Sequence, residues 1–143
     1  MGVSLSAQHI VKRYGGVVAL ADSNLDVESG EVVALLGANG SGKSTLSKII
    51  TGVAAPNEGR LRLDGQPVAF KSPHEARRHG IAAVYQELSL IPDMTVMENI
   101  WLTHEPLSLW RVNRSLMRAR THALLDLFSG TYGEALSPDA IVK

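Results

Sequence analysis

One stretch, Gly37 to Thr45, constrains this chain more than any other part of its sequence. It reads Gly-Ala-Asn-Gly-Ser-Gly-Lys-Ser-Thr and fits the pattern Gly-x-x-x-x-Gly-Lys-Ser/Thr. A short apolar run rich in β-branched residues, 32–36, precedes it and predicts a buried strand. Leu46, Ile49 and Ile50 follow at helical spacing. The sequence therefore predicts a strand, a glycine loop and a helix in succession.

This succession of elements makes the loop a candidate phosphate site. Glycines let neighbouring backbone N–H groups point at one concave spot, and a helix N-terminus adds partial positive charge. In such a loop Lys43 can extend to the β- and γ-phosphates of a nucleotide, and the Ser44 hydroxyl can bind Mg²⁺. The alternative is a glycine-rich turn that happens to contain a lysine, and the flanking strand and helix argue against it.

Composition excludes several other classes of function. The 143 residues include 14 basic and 14 acidic side chains, so net charge gives no reason to expect nucleic acid as a partner. The absence of cysteine excludes disulfides and thiolate metal sites. No apolar run approaches the ~18 residues of a membrane-spanning helix, and Met1–Leu5 lack the pattern of a signal peptide. We expect one domain, made and kept in the cytosol.

Strands are predicted on both sides of the glycine loop. Loose alternation of apolar residues and the turn pairs Gly15-Gly16 and Asp64-Gly65 indicate antiparallel hairpins. Residues 12–16 are predicted to form the first turn, and the second strand is predicted to break at 21–23. The predicted strands are 3–10, 17–20 with 24–27, 32–36, 60–63, 67–70 and 81–85.

Helix starts are predicted from capping residues. Ser72 and Thr95 each precede a glutamate by three positions, which is the capping-box pattern, and Asn113 is a third candidate cap. The residues predicted to form the buried face of the helix after Asn113 are Leu116, Ala119, Ala123 and Leu127, beside Leu124 and Phe128.

Several motifs in this order resemble the N-terminal half of an ABC-transporter ATPase domain. They are Tyr14, the loop 37–45, Tyr85-Gln86-Glu87, Leu88–Pro92 and Thr95–Ile100. The segment 84–102 is most similar to the ATPases of bacterial importers of ribose, galactose and xylose. The resemblance covers about residues 3–128.

The resemblance implies an α/β fold of the P-loop NTPase class. It would have an N-terminal antiparallel β-subdomain and an incomplete RecA-like core sheet, in a single, C-terminally truncated domain over 1–143. The implied parts are the β-subdomain, 1–30 and 58–71, the P-loop core, 31–57, and the Q-loop with the start of the helical subdomain, 86–143.

The resemblance also implies roles for individual residues. Tyr14 would stack on adenine, Lys43 and Gln86 would act in catalysis, and Ser44 and Gln86 would bind Mg²⁺. The implied ATP contacts are Tyr14, Gly37, Asn39, Gly40, Ser41, Gly42, Lys43, Ser44 and Thr45. The alternatives are that Tyr14 is an ordinary exposed aromatic residue and that Gln86 is a polar residue that merely ends a strand.

Two motifs of the family are absent from the sequence. The signature Leu-Ser-Gly-Gly-Gln does not occur, and 128–131 resembles it only superficially at a helix end. The second motif, four apolar residues followed by Asp-Glu, is also absent. The segment 123–126 comes nearest, but Leu127 and not a glutamate follows Asp126. We therefore expect an incomplete domain, and nucleotide binding without hydrolysis is the alternative function.

The leading interpretation is an ATP-binding subunit that couples ATP binding and hydrolysis to sugar import. The implied partners are a transmembrane permease, a second ATP-binding domain and, indirectly, a sugar-binding protein, at the cytoplasmic face of the inner membrane. Leu88, Leu90 and Ile91 lie in the loop after Gln86, and the resemblance implies that 86–102 docks on the permease. The alternative is that these residues cover the protein's own core. A GTPase is disfavoured because Asn-Lys-x-Asp and Asp-x-x-Gly are missing, and a small kinase would begin almost at its phosphate loop.

Overall fold

The computed structural model describes residues 4–84, 90–130 and 136–143. The chain divides into two compact units, Met1–Val84 and Tyr85–Lys143. The first contains the glycine loop and a four-stranded sheet, and the described part of the second contains two helices and a short two-stranded hairpin. Within the described ranges, none of the helices has both the length and the apolar character that crossing a membrane requires.

An antiparallel sheet forms the framework of the first unit. Gly15-Gly16 joins its first two strands, so that Tyr14 pairs directly with Val17, and Asp64-Gly65 joins the last two. Such two-residue glycine turns match the twist of paired strands. The strands are β1 (Leu5–Tyr14), β2 (Val17–Val27), β3 (Glu58–Leu63) and β4 (Gln66–Val68), in the spatial order β2-β1-β3-β4. The predicted antiparallel sheet is confirmed.

The first hairpin is longer than predicted. Residues 12–14, which were expected in a turn, belong to β1 because β2 pairs with them up to the glycines. β2 also continues through the predicted break at 21–23. In β1 the pairing shifts register between Ala7 and Ile10, where His9 has a positive φ of 53°. This irregularity interrupts the alternation of the strand.

Two helices complete the first unit. α1 (Lys43–Ile50) begins in the glycine loop, as predicted, and α2 (Pro73–Arg78) is capped by Ser72, whose hydroxyl accepts the Glu75 N–H at 3.2 Å. Leu46 and Ile49 of α1 are buried against the sheet, and burial of such side chains contributes about 1.5–3 kcal/mol each. The core comprises Ala7, Ile10, Leu20, Leu46, Ile49, Leu61, Phe70 and Ala76.

Two predicted strands are wrong. Residues 32–36 and 81–84 form no strand, and Val32, Leu36 and Val84 are almost fully exposed; residue 85 lies outside the described ranges. An apolar run becomes a strand only when a neighbour accepts and supplies its ladder hydrogen bonds. The described residues pair no strand with either segment. Hydrophobicity alone could not predict that lack of partners.

The second unit is built on capped helices. The elements are α3 (Val96–Trp101), β5 (Leu107–Ser108), β6 (Arg111–Val112) and α4 (Arg114–Asp126). The predicted capping box of Thr95 and Glu98 is present, and Asn113 caps α4 by accepting the Leu116 N–H at 3.0 Å. The short hairpin of β5 and β6 was not predicted.

The predicted buried face of α4 is wrong. Met117 and Thr121 are the buried residues of this helix, whereas Leu127 and Phe128, just after it, are exposed. Thr121 tolerates burial because its hydroxyl accepts a hydrogen bond from the Trp101 indole at 2.9 Å and donates to the Met117 carbonyl at 2.8 Å. Only the position of Trp101 identifies the face, and that is tertiary information.

Candidate functional site

The glycine loop ends in the open N-terminus of α1. Gly42 is the N-cap residue and has no side chain with which to cap the helix. The N–H groups of the first turn of a helix have no acceptor within the helix. Leu46 is the fourth residue of α1, and its N–H donates to the Gly42 carbonyl at 2.9 Å. Uncapped N–H groups and the helix dipole together favour an anion at this position.

Gly42 is the residue that lets the loop approach β2. Its φ is +88°, and a Cβ there would lie 2.4 Å from Leu20 Cδ2 and 2.6 Å from the Ala19 carbonyl oxygen. Any side chain would therefore be strained in its backbone and would collide with the strand. The motif requires glycine at this position because the loop packs closely against β2.

Lys43 folds back over its own loop. Its ammonium donates hydrogen bonds to the carbonyls of Gly37 and Ala38, both at 2.8 Å, and to the Ser41 hydroxyl at 3.3 Å. The Ser41 N–H closes the loop on the Ala38 carbonyl at 3.2 Å. The lysine thus holds a positive charge at the loop and braces the loop's shape.

A pocket of about 250 Å³ lies over this loop. One wall comes from Ala19 of β2, which no sequence motif indicates, because only the tertiary approach of the strand places it there. The rest of the lining is Asn39, Gly40, Ser41, Gly42, Lys43, Ser44 and Thr45. These described lining residues include no carboxylate, so the only charged group among them is the ammonium of Lys43.

Tyr14 lies at the end of β1, next to the strand that borders the pocket. It pairs with Val17, which is two residues from Ala19, a separation of about 7 Å along a strand. Tyr14 is not among the described residues that line the pocket. It is 48% exposed, so the ring retains surface on which a planar group could stack.

Gln86, the other residue implied in catalysis, lies outside the described residues, as do Tyr85, Glu87 and Leu88. The described part of the predicted docking segment begins with Leu90 and Ile91, and Leu90 is 55% exposed. Asn99 holds this part in place, since its side chain accepts the Ile91 N–H at 2.7 Å and donates to the Ile91 carbonyl at 3.1 Å. An apolar surface on a fixed backbone results.

Glu98 fixes the start of α3 beside this surface. The Thr95 backbone N–H, the Thr95 hydroxyl and Arg114 hold the pKa of the Glu98 carboxyl at about 2, below its ordinary 4.5. The corresponding distances are 3.0, 2.8 and 3.0 Å. The capped helix thereby gives the Leu90 segment a firm support.

No cluster of three or more His, Cys, Asp or Glu side chains suited to a metal occurs in the parts of the chain that the structure describes. A divalent cation at the loop would therefore be held by hydroxyl groups of the protein and by oxygen atoms of a phosphate bound in the pocket. Ser44, which lines the pocket and is exposed, supplies such a hydroxyl.

Comparison with known proteins identifies similar sequences. A family model described as ABC transporter matches residues 20–138. The ribose import ATP-binding protein RbsA 1 of Rhizobium johnstonii is 46% identical over 134 residues, which cover 94% of this chain and 26% of that protein. RbsA of Rhodopirellula baltica is 52% identical over 105 residues, 73% of this chain and 20% of that protein. The chain thus spans about a quarter of the length of these curated relatives.

Solved structures show the same relationship. A crystal structure of a nucleotide-free ATP-binding cassette from an ABC transporter matches with a TM-score of 0.71 and 27% identity, covering 96% of this chain and 59% of that one. The ADP conformation of MJ1267, an ATP-binding cassette, matches with a TM-score of 0.68 and 26% identity, covering 98% of this chain and 60% of that one. The α/β class predicted from the sequence is confirmed.

Proposed function

The chain belongs to the ABC transporter family, and from that premise we propose that residues 37–45 bind the phosphates of Mg-ATP in the motor of a sugar importer. One observation carries the proposal. The Lys43 ammonium and the open N-terminus of α1 meet at one pocket, and no described residue that lines it is acidic. A cation and several N–H donors around a concave surface suit a polyphosphate.

Each part of the loop has its own role in this proposal. Gly40 and Gly42 allow the backbone to curve, so that N–H groups from Asn39 to Thr45 surround the phosphate oxygens. Lys43 exchanges contacts with its own carbonyls for charge-assisted bonds to the β- and γ-phosphates. During hydrolysis the same ammonium would stabilise charge on the transferred phosphoryl group.

Mg²⁺ fits the residues that the pocket offers. The Ser44 hydroxyl is a hard oxygen ligand, and phosphate oxygens and water complete the set that Mg²⁺ prefers. When bound, Mg²⁺ would neutralise charge on the phosphates. Gln86 is proposed as a further ligand or as a contact to the attacking water; this role rests on the family resemblance alone.

Tyr14 is proposed as the platform for the nucleotide base. Its ring is about half exposed, and its strand partner lies two residues from the wall of the pocket. An aromatic face stacks on a purine with little discrimination of the base edges. Base stacking would thus add affinity to a site whose specificity for polyphosphate comes from the loop.

Binding without hydrolysis by this chain alone is the second candidate function. This alternative rests on the absence of the signature and Asp-Glu motifs from the sequence, whereas the relatives named as ribose import ATP-binding proteins favour the ATPase of a sugar importer. We propose that the whole protein hydrolyses ATP, and that the purified chain shows at most trace turnover. Robust turnover that disappears in Lys43→Ala would contradict this second part.

The place of the protein in transport is inferred from its relatives. Proteins named as ribose import ATP-binding proteins are 46–52% identical to this chain. We propose that it works peripherally on the cytoplasmic face of the inner membrane with a permease, a second ATP-binding domain and a sugar-binding protein. The domain layout remains a proposal as well, with 1–30 and 58–71 as β-subdomain, 31–57 as P-loop core and 86–143 as Q-loop and helical start.

The permease is proposed to dock on residues 86–102. The exposed Leu90 and Ile91, held by Asn99, form an apolar surface, which commonly marks an interface. In the full-length importer, Leu90→Asp should leave ATP binding intact and reduce assembly or transport. Unchanged assembly and transport would show the docking assignment to be wrong.

Calorimetric titration of the chain with Mg-ATP tests nucleotide binding. Lys43→Ala should lose most affinity because a charge-assisted phosphate contact disappears. Lys71→Met, which removes an exposed lysine of the same unit, is the control and should bind as the unmodified chain does. Equal affinity in Lys43→Ala and the unmodified chain would refute the assignment.

A further inference from the structure

Lys12 connects the ring of Tyr14 to the turn at residues 53–57, which lies far from it in the sequence. Its ammonium donates a hydrogen bond to the Ala55 carbonyl at 2.7 Å and lies 5.0 Å from the centre of the Tyr14 ring. A cation within about 6 Å of an aromatic centroid is attracted to the ring face. The lysine therefore has a fixed anchor at one side and the aromatic ring at the other.

Asn57 of the same turn also forms hydrogen bonds with the backbone on either side of Lys12. The Arg13 N–H donates to the Asn57 side-chain oxygen at 2.7 Å, and the Asn57 N–H donates to the Val11 carbonyl at 2.8 Å. The Arg13 guanidinium pairs with Glu58 at 2.7 Å. Successive residues of β1 are thus bonded to the turn immediately before Tyr14, which restricts the direction in which the ring can point.

The turn is itself an extension of α1. The N–H groups of Val53 and Ala54 both donate to the Lys48 carbonyl in α1, at 2.8 and 3.1 Å. α1 is anchored in the core by Leu46 and Ile49 and begins at the glycine loop. One helix therefore connects the loop at its N-terminus with the turn that holds Lys12 and Tyr14 after its C-terminus.

We propose that Lys12 is a positioning residue for the nucleotide base. Anchored on Ala55, its ammonium holds one side of the Tyr14 ring, and the surface that remains exposed stacks on a purine. This inference rests on the proposed function, in which 37–45 bind the phosphates and Tyr14 binds the base. Direct phosphate binding by Lys12 is disfavoured, because its ammonium is bonded to Ala55 and Lys12 does not line the described pocket.

The test compares ATP with inorganic triphosphate, which has the phosphates but no base. Calorimetry would measure both affinities for the unmodified chain, Lys12→Met, Lys12→Arg, Tyr14→Ala and the control Lys71→Met. Lys12→Met should weaken ATP binding roughly two- to fivefold, the range of an exposed cation–π contact, and leave triphosphate binding unchanged. Lys12→Arg should restore ATP affinity because a guanidinium also donates hydrogen bonds and packs on aromatic faces.

Each alternative result has a distinct meaning. Equal losses for ATP and triphosphate in Lys12→Met would overturn the proposal, since Lys12 would then act through charge or folding. Unchanged ATP affinity in Lys12→Met, with a loss in Tyr14→Ala, would overturn the role of Lys12 alone. If Tyr14→Ala also keeps its ATP affinity, the base platform fails together with Lys12. If the unmodified chain binds neither ligand, the proposed function and this inference are both wrong.

Discussion

Alanine at Gly42 should be far more destabilising than alanine at Gly40. The two glycines have nearly equal φ, +88° and +84°, so an alanine at either incurs the left-handed penalty of about 1–2 kcal/mol. At Gly40 a Cβ would have nothing within 4 Å, whereas at Gly42 it would meet Leu20 Cδ2 at 2.4 Å and the Ala19 oxygen at 2.6 Å. Comparison of the two variants therefore separates the cost of backbone strain, which both have, from the cost of the collision, which only Gly42→Ala has.

The collision at Gly42 sets the size of the difference. The Ala19 oxygen is a backbone atom and cannot move aside without shifting the strand, and the Leu20 side chain could move only by disturbing the core to which it belongs. Forcing an extra carbon into such packing costs about 1–3 kcal/mol. Gly42→Ala should thus lose about 1–3 kcal/mol more free energy of unfolding than Gly40→Ala, which corresponds to a melting temperature lower by at least about 3 °C.

Circular dichroism melts of the unmodified chain and both variants provide the assay. Chemical denaturation with unchanged slope would confirm that the native state, and not the denatured state, is affected. The reasoning is refuted if Gly42→Ala melts at or above the temperature of Gly40→Ala. In that case the loop would not rest on β2 as the structure describes.

Two further predictions concern the second unit. The pKa of Glu98 is about 2 against an ordinary 4.5, so its contribution to stability is complete above about pH 4.5 and lost as the pH falls toward 2. Glu98→Gln should therefore flatten this part of a plot of melting temperature against pH, and Glu28→Gln is the control. Parallel curves for the unmodified chain and Glu98→Gln would contradict this prediction. Thr121→Val should cost about 1–3 kcal/mol because the Trp101 indole loses its acceptor, while Thr121→Ser keeps the hydroxyl and should cost less; denaturation followed by tryptophan fluorescence measures both, and equal stabilities of the two variants would contradict the assignment.

The features that could be predicted from the sequence are those decided by neighbouring residues. The caps at Ser72, Thr95 and Asn113 were predicted because a side-chain oxygen and an N–H a few residues away are enough to form them. The start of α1 and the two glycine turns follow the same logic. Their energetics are local, so the pattern contains what decides them.

The features that failed depend on distant partners. Residues 32–36 are as apolar as a buried strand, yet a strand also needs a neighbour to complete its hydrogen bonds, and the described residues supply none. In α4, apolar spacing favours Leu116, Ala119 and Ala123 as the buried face, and only the contact with Trp101 shows that Met117 and Thr121 are buried. For helix faces and unpaired strands, periodicity describes the segment but not its surroundings.

The candidate site was predictable to the same extent. The motif identified 37–45, and the structure collects Asn39 to Thr45 around one pocket, whereas Gly37 is not among the described residues that line it. Ala19 and Lys12 were missed because their roles arise from contacts across the fold, at Gly42 and at Ala55 respectively. Tyr14 was selected through the family resemblance, and its role as base platform stays a prediction.

We propose that the backbone N–H groups of the loop bind phosphate at the N-terminus of α1. A ¹⁵N–¹H NMR titration of the chain with Mg-ATP, and with Mg-triphosphate as the ligand without a base, observes those groups directly. The amide resonances of Gly40, Gly42, Lys43, Ser44 and Thr45 should shift with both ligands, and those of the β5–β6 hairpin, 107–112, should stay in place. Saturable shifts elsewhere in the chain with an unchanged loop would contradict the proposal.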